Sequence, residues 1–453
     1  MVDKILVPFH GEGSGVEELS WGQKGVWQTI VTDGRSSTLG GVVPLPAGTT
    51  VEDIVTTLRY IVGRHQSLRT RLRFEPDGRI LQHLSSSGEV PLEVLDAADD
   101  DDPAAVGQAV QVRYVTTDFD YVEEWPVRMA VIRHRGAVTH LVATYLHTTL
   151  DAEGINVLLA DLAGLDLKTG QTTSPPPTGM TPMAQARLQR TPHSLRQGDA
   201  SIRHLERVLR AVSPHRYPEP AEKGEPVYRM LGYRSPATLP ALRVVAARHR
   251  METTPVLLGA YAVAVARMTG ISPFVTMLAV NNRFRPGFAD SVSVLAQVSP
   301  CMIDVADVTV GEVMVRARQA ALAAYKCAYY DPPRRVAARK AIERERGHEI
   351  DLSCFFNDRR DDRDTFTLPA EEEIRTAGEG EFHWLPDAMA AEETLYLSVD
   401  DAPDAVTFEM SADIQYFPPP RMEQVLRGLE RAAVEGALDP ATPTGVRADA
   451  VPV

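Results

Sequence analysis

The sequence predicts two α/β lobes of unequal size. Helix and strand signals alternate through both halves, and a segment unable to join a core element interrupts them near residue 175. The 453 residues give room for two or three domains at about 100–200 residues each. The interruption is Thr172-Thr173-Ser174-Pro175-Pro176-Pro177-Thr178-Gly179, whose prolines lack N–H donors and fix φ. It sets the expected lobes at residues 1–175 and 176–453.

In the first half, Thr50 with Asp53 three residues on reads as a capping box for a helix over Thr50–His65. Ile54, Val55, Leu58, Ile61 and Val62 recur there at helical spacing. Leu68–Phe74 alternates apolar residues with Arg69, Arg71 and Arg73, as a half-buried strand does. Pro76-Asp77-Gly78 turns it into a return strand over Arg79–Leu84. The acidic run Asp99–Asp102 reads as a solvated loop. Pro126–His134 and Val138–Leu146 read as strands around Arg135-Gly136, and Ile155, Leu158, Leu159 and Leu162 mark a following helix.

In the second half, Thr253-Thr254-Pro255 opens a helix, apolar nearly all round, that ends at Gly270; such a helix is buried. Pro273–Val280 is a nearly continuous apolar strand, and Thr309 with Glu312 boxes a helix running to about Lys326. Glu393–Val399 and Val406–Tyr416 are late strands, and Pro420–Val434 is a closing amphipathic helix.

Composition narrows the function classes. A chain 44% hydrophobic and 24% charged has ordinary globular composition, which excludes collagen-like and wholly disordered readings. No run of about 18 apolar residues is present, and the N-terminus lacks the basic start and long apolar region of a signal peptide. Cys301, Cys327 and Cys354 are few, odd in number and far apart. This argues against a disulfide framework or a CxxC zinc site and for a cytoplasmic setting. A formal net charge of −14 disfavours a nucleic-acid partner. Gly11-Glu12-Gly13-Ser14-Gly15 has neither the spacing nor the Lys of a phosphate loop and reads as a flexible loop. His348-Glu349 does not extend to HExxH. The Asp358–Asp364 stretch, mixed with Arg359, Arg360 and Arg363, reads as solvated. Arg334 and Arg335 read as surface ions or as contacts for an acidic protein partner.

His147 ends a strand, and Asp151 begins the next helix. By strand alternation His147 shares a face with Leu141, Ala143 and Tyr145, while Leu146 shares the other with Val142 and Val138. A nearby helix N-terminus disfavours imidazolium, and a neutral imidazole accepts a proton near neutral pH. The structural reading of His147 is a core histidine bonded to backbone; that of Asp151 is a helix cap. The functional reading of Asp151 is a buried carboxylate paired with Arg283, which follows an apolar strand in Asn281-Asn282-Arg283-Phe284-Arg285-Pro286.

Tyr145-Leu146-His147-Thr148-Thr149-Leu150-Asp151-Ala152 resembles the His-His-x-x-x-Asp-Gly motif of nonribosomal peptide synthetase condensation domains, relatives of chloramphenicol acetyltransferase. Flanking segments agree in order. Ser20–Trp27 resembles the family's Ser-x-x-Gln-x-x-x-Trp, and Arg64–Thr70 resembles its Arg-His-Glu-x-Leu-Arg-Thr. Val280–Arg283 resembles a strand closing in Gly-Arg, Val292–Val305 resembles Val-Gly-x-Phe-Val-Asn-x-x-Pro-Leu-Arg, and Tyr330–Pro333 resembles Asp-x-Pro-Phe. The resemblance runs from about residue 18 to about 435.

That resemblance implies two chloramphenicol acetyltransferase-like lobes in a V-shaped pseudo-dimer with a tunnel between them. It implies that His147 is catalytic, that Asp151 and Arg283 support the site, and that Tyr145, Leu146, Ala152 and Gln297 lie along the substrate path. It further implies that a donor acyl thioester arrives on the phosphopantetheine of an acyl or peptidyl carrier protein. By the same resemblance a small-molecule acceptor, or one on a second carrier protein, is expected to supply the amine or hydroxyl, in nonribosomal peptide or related antibiotic biosynthesis. No membrane partner, metal or tightly bound organic cofactor is implied. The sequence departs from the motif at Leu146, Ala152, Ser293 and Gln297. These departures also fit a catalytically silent docking platform for a carrier protein or tailoring enzyme; an acyltransferase using coenzyme A is a further alternative. With no adenylation signature or carrier-protein serine motif in these residues, the chain reads as free-standing, its carrier protein separate.

Overall fold

The computed structural model describes residues 2–214, 216–217, 224–360, 369–386, 391 and 393–448. The chain forms two compact units. The first takes in Met1–Gly198, Asn281–Gln297 and Tyr329–Pro333; the second takes in Asp199–Val280, Val298–Ala328 and Arg334–Val453. The first unit thus includes two segments from far down the sequence, and Thr172–Gly179 lies within it as irregular chain.

The elements of the first unit are β1 (Val2–His10), β2 (Gly15–Glu18), α1 (Trp21–Asp33), β3 (Thr38–Pro44), α2 (Val51–Arg64), β4 (Thr70–Phe74), β5 (Ile80–Leu84), β6 (Ser87–Ala97), α3 (Pro103–Thr116), β7 (Val127–His134), β8 (Ala137–Leu146), α4 (Ala152–Leu162) and α5 (Pro182–Gln189). One sheet has the order β1-β6-β7-β8-β3 and a smaller one β2-β5-β4. Ser20 and Gln23 form a capping box at α1, and Thr50 and Asp53 form one at α2, satisfying N–H groups that the first turn leaves unpaired. The acidic run ends in a cap: Asp102 accepts from the Ala104 amide and starts α3, a helix whose weak apolar periodicity hid it in the sequence.

The strand alternation read for β8 is corrected by a bulge. Ile132 pairs with His140 but Arg133 pairs with Val138, so one extra residue shifts the parity there. Val138 therefore joins the core around Leu58, Val127 and Tyr145, while Val142 packs with Val110 and Tyr114 on the other side. The Gly11–Gly15 loop, expected to be flexible, is tied down. Arg69 donates to the carbonyls of Glu12, Gly13 and Ser85, and Gln66 donates to Glu12.

The second unit holds α6 (Pro192–Ala211, entered from the first unit), β9 (Tyr228–Ser235), α7 (Thr238–His249), α8 (Thr253–Thr269), β10 (Phe274–Val280), β11 (Gln297–Ile303), α9 (Val310–Lys326), α10 (Pro332–Arg346), β12 (Cys354–Asp358), α11 (Glu371–Arg375), β13 (Glu381–Leu385), β14 (Leu395–Ala402), β15 (Ala405–Asp413) and α12 (Pro419–Leu438). Its sheet has the order β11-β10-β12-β14-β15-β9-β13, parallel at β10-β12-β14 and antiparallel from β14 to β13. The all-round apolar α8 is buried along nearly its whole length, as its composition demands. Its N-cap is Glu252 without a side-chain bond, not a threonine; the Thr254 hydroxyl instead donates to Asp358. The reading of Asp358–Asp364 as solvated is corrected at its start. Asp358 ends β12 and pairs with Arg360, both nearly buried, and Arg359 pairs with Asp400 and Glu409. Residues 361–364 lie outside the described residues. Arg334 is exposed and paired with Asp199.

Asp161 on α4 ties that helix to α2. Its Oδ2 accepts from Arg64 Nε at 2.6 Å and sits 2.9 Å from His65 Nε2, and its Oδ1 accepts from the Tyr60 hydroxyl at 3.2 Å. Burial pushes its carboxyl up, but the bonds from His65 and Arg64 outweigh this and hold it at about 2 against an ordinary 3.8. A depressed carboxylate contributes stability above its unfolded-state value and loses that contribution as pH falls toward the folded one. The thermal midpoint of the wild type is therefore expected to drop more steeply than that of Asp161→Asn between about pH 4 and about pH 2. Parallel curves for the two proteins in that window refute the assignment.

Candidate active site

The segment after β8 is fixed by backbone. β8 pairs antiparallel with β3, Leu146 opposite Thr38, and the next amide, His147 N–H, donates to the Ser37 carbonyl at 2.9 Å. The chain then turns, with the Thr149 amide bonded to the Leu146 carbonyl. His147 Nδ1 lies 2.9 Å from the carbonyl oxygen of Leu150, itself fully buried. A carbonyl only accepts, so Nδ1 carries the proton and the lone pair of a neutral ring sits on Nε2. Nε2 has no hydrogen-bond partner among the described residues, and the residue is half-buried.

Asp151 is the other fixed point. It caps α4, its Oδ1 accepting from the Gly154 amide at 2.8 Å. Arg283 meets it as a fork, Nη2 to Oδ1 at 2.8 Å and Nη1 to Oδ2 at 3.1 Å. Oδ2 also accepts the amides of Leu295 at 2.8 Å and Ala296 at 2.9 Å. Both side chains are more than nine-tenths buried. Arg283 reaches on to the Ser291 carbonyl at 3.0 Å. The two carboxylate oxygens thus accept five bonds from three stretches of chain, leaving Asp151 no role as a proton acceptor for a reacting group. Its work is to hold α4, the Arg283 loop and residues 295–296 in register.

Glycine makes that register possible. A Cβ on Gly22 of α1 would stand 2.1 Å from the Val294 carbonyl oxygen, so only a bare backbone lets α1 lie against the irregular segment before β11 that supplies the Leu295 amide.

The remaining sequence-predicted residues scatter. Tyr145 is buried in the core of the first unit, where desolvation raises its phenol well above the usual range. Leu146 is buried and borders a cavity of about 10 Å³ shared with Ser67, Arg71, Thr148 and Thr149. The cavity is polar: Ser67 Oγ and Arg71 Nε are buried there without hydrogen-bond partners, and its volume matches roughly one water molecule. Ala152 is exposed on the first turn of α4. Gln297 faces none of these. Its amide clamps the backbone of Tyr330, donating to the carbonyl at 2.9 Å and accepting from the N–H at 3.2 Å. The structure therefore brings together His147, Asp151 and Arg283, with Ala152 beside them in sequence. The partners that sequence reasoning missed are the carbonyls of Ser37 and Leu150 and the amides of Gly154, Leu295 and Ala296. Only the Gly154 amide had a signal, the spacing of an N-cap from its N3 residue. Among the described residues no three His, Cys, Asp or Glu side chains gather closely enough to hold a metal ion, and no helix is long and apolar enough to cross a membrane.

Comparison with known proteins bears on the family and the fold. The "Probable non-canonical nonribosomal peptide synthetase (NRPS) CymA" of Salinispora arenicola (strain CNS-205) is 32% identical over 149 residues, which are 32% of this chain and 2% of that protein. The chain thus spans only a small part of that relative's length. Among solved structures, the complex of the X-domain and OxyB from teicoplanin biosynthesis matches with a TM-score of 0.72 at 16% identity, over 96% of each chain. The first condensation domain of the calcium-dependent antibiotic synthetase, in complex with substrate analogue 3a, matches with a TM-score of 0.68 at 15% identity, over 98% of this chain and 100% of that one. The condensation domain from the Monacolin K polyketide synthase MokA matches with a TM-score of 0.70 at 16% identity, over 96% and 100%. At such identities the likeness is one of fold, a mixed α/β chain with two lobes of chloramphenicol acetyltransferase type. The family model of the condensation domain matches residues 14–432, nearly the whole sequence, and the chain belongs to that family.

Proposed function

We propose that this chain transfers an acyl group from a thioester on the phosphopantetheine arm of a carrier protein to an amine or hydroxyl acceptor, with His147 as the catalytic residue. The observation that carries the reading is the 2.9 Å approach of His147 Nδ1 to the Leu150 carbonyl oxygen: a carbonyl only accepts, so the proton of a neutral ring belongs on Nδ1 and Nε2 is left as an oriented acceptor without a partner among the described residues. In the reaction Nε2 takes the proton of the attacking nitrogen or oxygen while that atom bonds to the thioester carbon. The tetrahedral adduct then expels sulfur, and the imidazolium returns the proton to the thiolate, giving an amide or ester and a free thiol. Binding both reactants gains proximity. Neither covalent acyl-enzyme nor metal enters the scheme.

Mass spectrometry of the product, with an acyl-carrier donor and a small amine acceptor, tests this. His147→Ala is expected to lower the rate by about 10²–10⁴-fold and to cost only about 1 kcal/mol of stability. An unchanged rate above the uncatalysed background sinks the catalytic assignment. Asp151→Asn leaves Arg283 buried without its counter-charge, and denaturant unfolding is expected to show a loss of about 3–5 kcal/mol. A loss under about 1 kcal/mol means that the five-bond node does not hold the site.

A second reading rests on Leu146, which puts an apolar side chain against the polar cavity where the family's motif has histidine. One structural neighbour is an X-domain in complex with OxyB. Under this reading the chain docks a tailoring enzyme on a carrier-bound substrate, and His147→Ala changes nothing because no donor turns over.

A further inference from the structure

The first unit contains a second cleft, of about 730 Å³, to which neither His147 nor Asp151 contributes. That volume lies in the range of small-molecule sites. One wall is α2, through Thr56, Arg59 and Tyr60. Another wall is the irregular chain from Pro176 to Thr181 with Pro182 at the start of α5, and Arg69 with Gly11 lies in the floor.

The walls are set before any ligand arrives. Arg64 donates to the carbonyls of Ser174 and Pro175, the Ser174 hydroxyl to the Asp161 carbonyl at 2.8 Å, and the Thr178 hydroxyl to Asp290 at 2.8 Å. The Met180 amide bonds to the Gly287 carbonyl at 2.9 Å. A proline-rich stretch without a core role of its own is thereby held against α2. At the floor, a Cβ on Gly11 would stand 2.1 Å from the Gly63 carbonyl oxygen and 2.6 Å from Arg69 Nε, so a bare backbone is required there.

The charges are unequal in kind. Arg69 is 1% exposed, its hydrogen bonds run to backbone carbonyls and not to a carboxylate, and its Nε is buried without a partner. Arg59 is exposed and has no partner among the described residues. Against them stand Glu12 and Asp290, both exposed and so weakened by water and salt, whereas a buried charge is screened far less. Arg64 and His65 also line the cleft but are already paired with Asp161, and His10, Gln66, Thr56 and Thr181 add neutral polar groups. Tyr60, Met180, Pro176, Pro177 and Val292 supply the apolar part of the lining. We infer that this cleft is a second ligand site, binding a small organic carboxylate with its charge toward Arg59 and Arg69 and its apolar body against the proline wall.

Isothermal titration calorimetry on the full chain tests it with three probes: phenylacetate, its neutral isostere phenylacetamide, and inorganic phosphate. Phenylacetate is expected to bind one per chain, and the other two at least tenfold more weakly. Arg59→Glu reverses the rim charge and Thr56→Trp fills the cleft. Each is expected to weaken phenylacetate at least tenfold with the thermal midpoint held, while His147→Ala leaves binding unchanged. The inference is overturned by phenylacetate failing to bind, by the amide or phosphate binding as well as the acid, by Arg59→Glu having no effect, or by binding that disappears with His147. Because the readout is binding and the His147 variant is included, failure here is distinct from failure of the acyl-transfer reading.

Discussion

The five hydrogen bonds on Asp151 are the constraint on which the site depends. A buried carboxylate is costly to desolvate, and one counter-charge offsets that cost only when the geometry is good and the remaining lone pairs are also filled. Here the Arg283 fork supplies the counter-charge, and three backbone amides fill what the fork leaves open. The arrangement is specific because none of the donors can move alone. The Gly154 amide belongs to a helix, the Leu295 and Ala296 amides to an extended segment, and Arg283 to a loop it also braces through Ser291. The turn carrying His147 lies between β8 and this node, so both its ends are held.

Legibility in the sequence followed the kind of interaction. Capping boxes at Thr50 and Thr309 and the all-round apolar α8 were readable because each depends on residues a few positions apart. The acidic run before α3 was half readable. Its solvent exposure was plain, but the helix beyond has almost no apolar stripe and leaned on its tertiary contacts. The bulge in β8 was not readable, since an extra residue leaves no mark on composition. The pairing of Asp151 with Arg283 spans more than a hundred residues; it was reached from the need of a buried carboxylate for a cation and from the resemblance, not from local spacing. The groups that orient His147 are main-chain carbonyls, which every residue possesses and no sequence distinguishes.

Gln297 illustrates the same limit from the other side. As a motif residue it drew attention as part of a substrate path, yet its amide is occupied on both atoms by the backbone of Tyr330. A polar side chain that matches a main-chain donor and acceptor at once acts as a splice between two pieces of chain. In the first unit the pieces it splices are the two short segments that arrive from beyond residue 280.

That discontinuity bears on how the protein is made. When the ribosome has finished the proline-rich stretch, Asp151 has been synthesised but Arg283, Leu295 and Ala296 have not, and Tyr330 follows later still. At about 5–20 residues per second, that interval is of the order of ten seconds. Until Arg283 is added the nascent first unit carries a carboxylate whose neutralising cation is not yet polymerised, so vectorial synthesis and final closure of this unit are separate events.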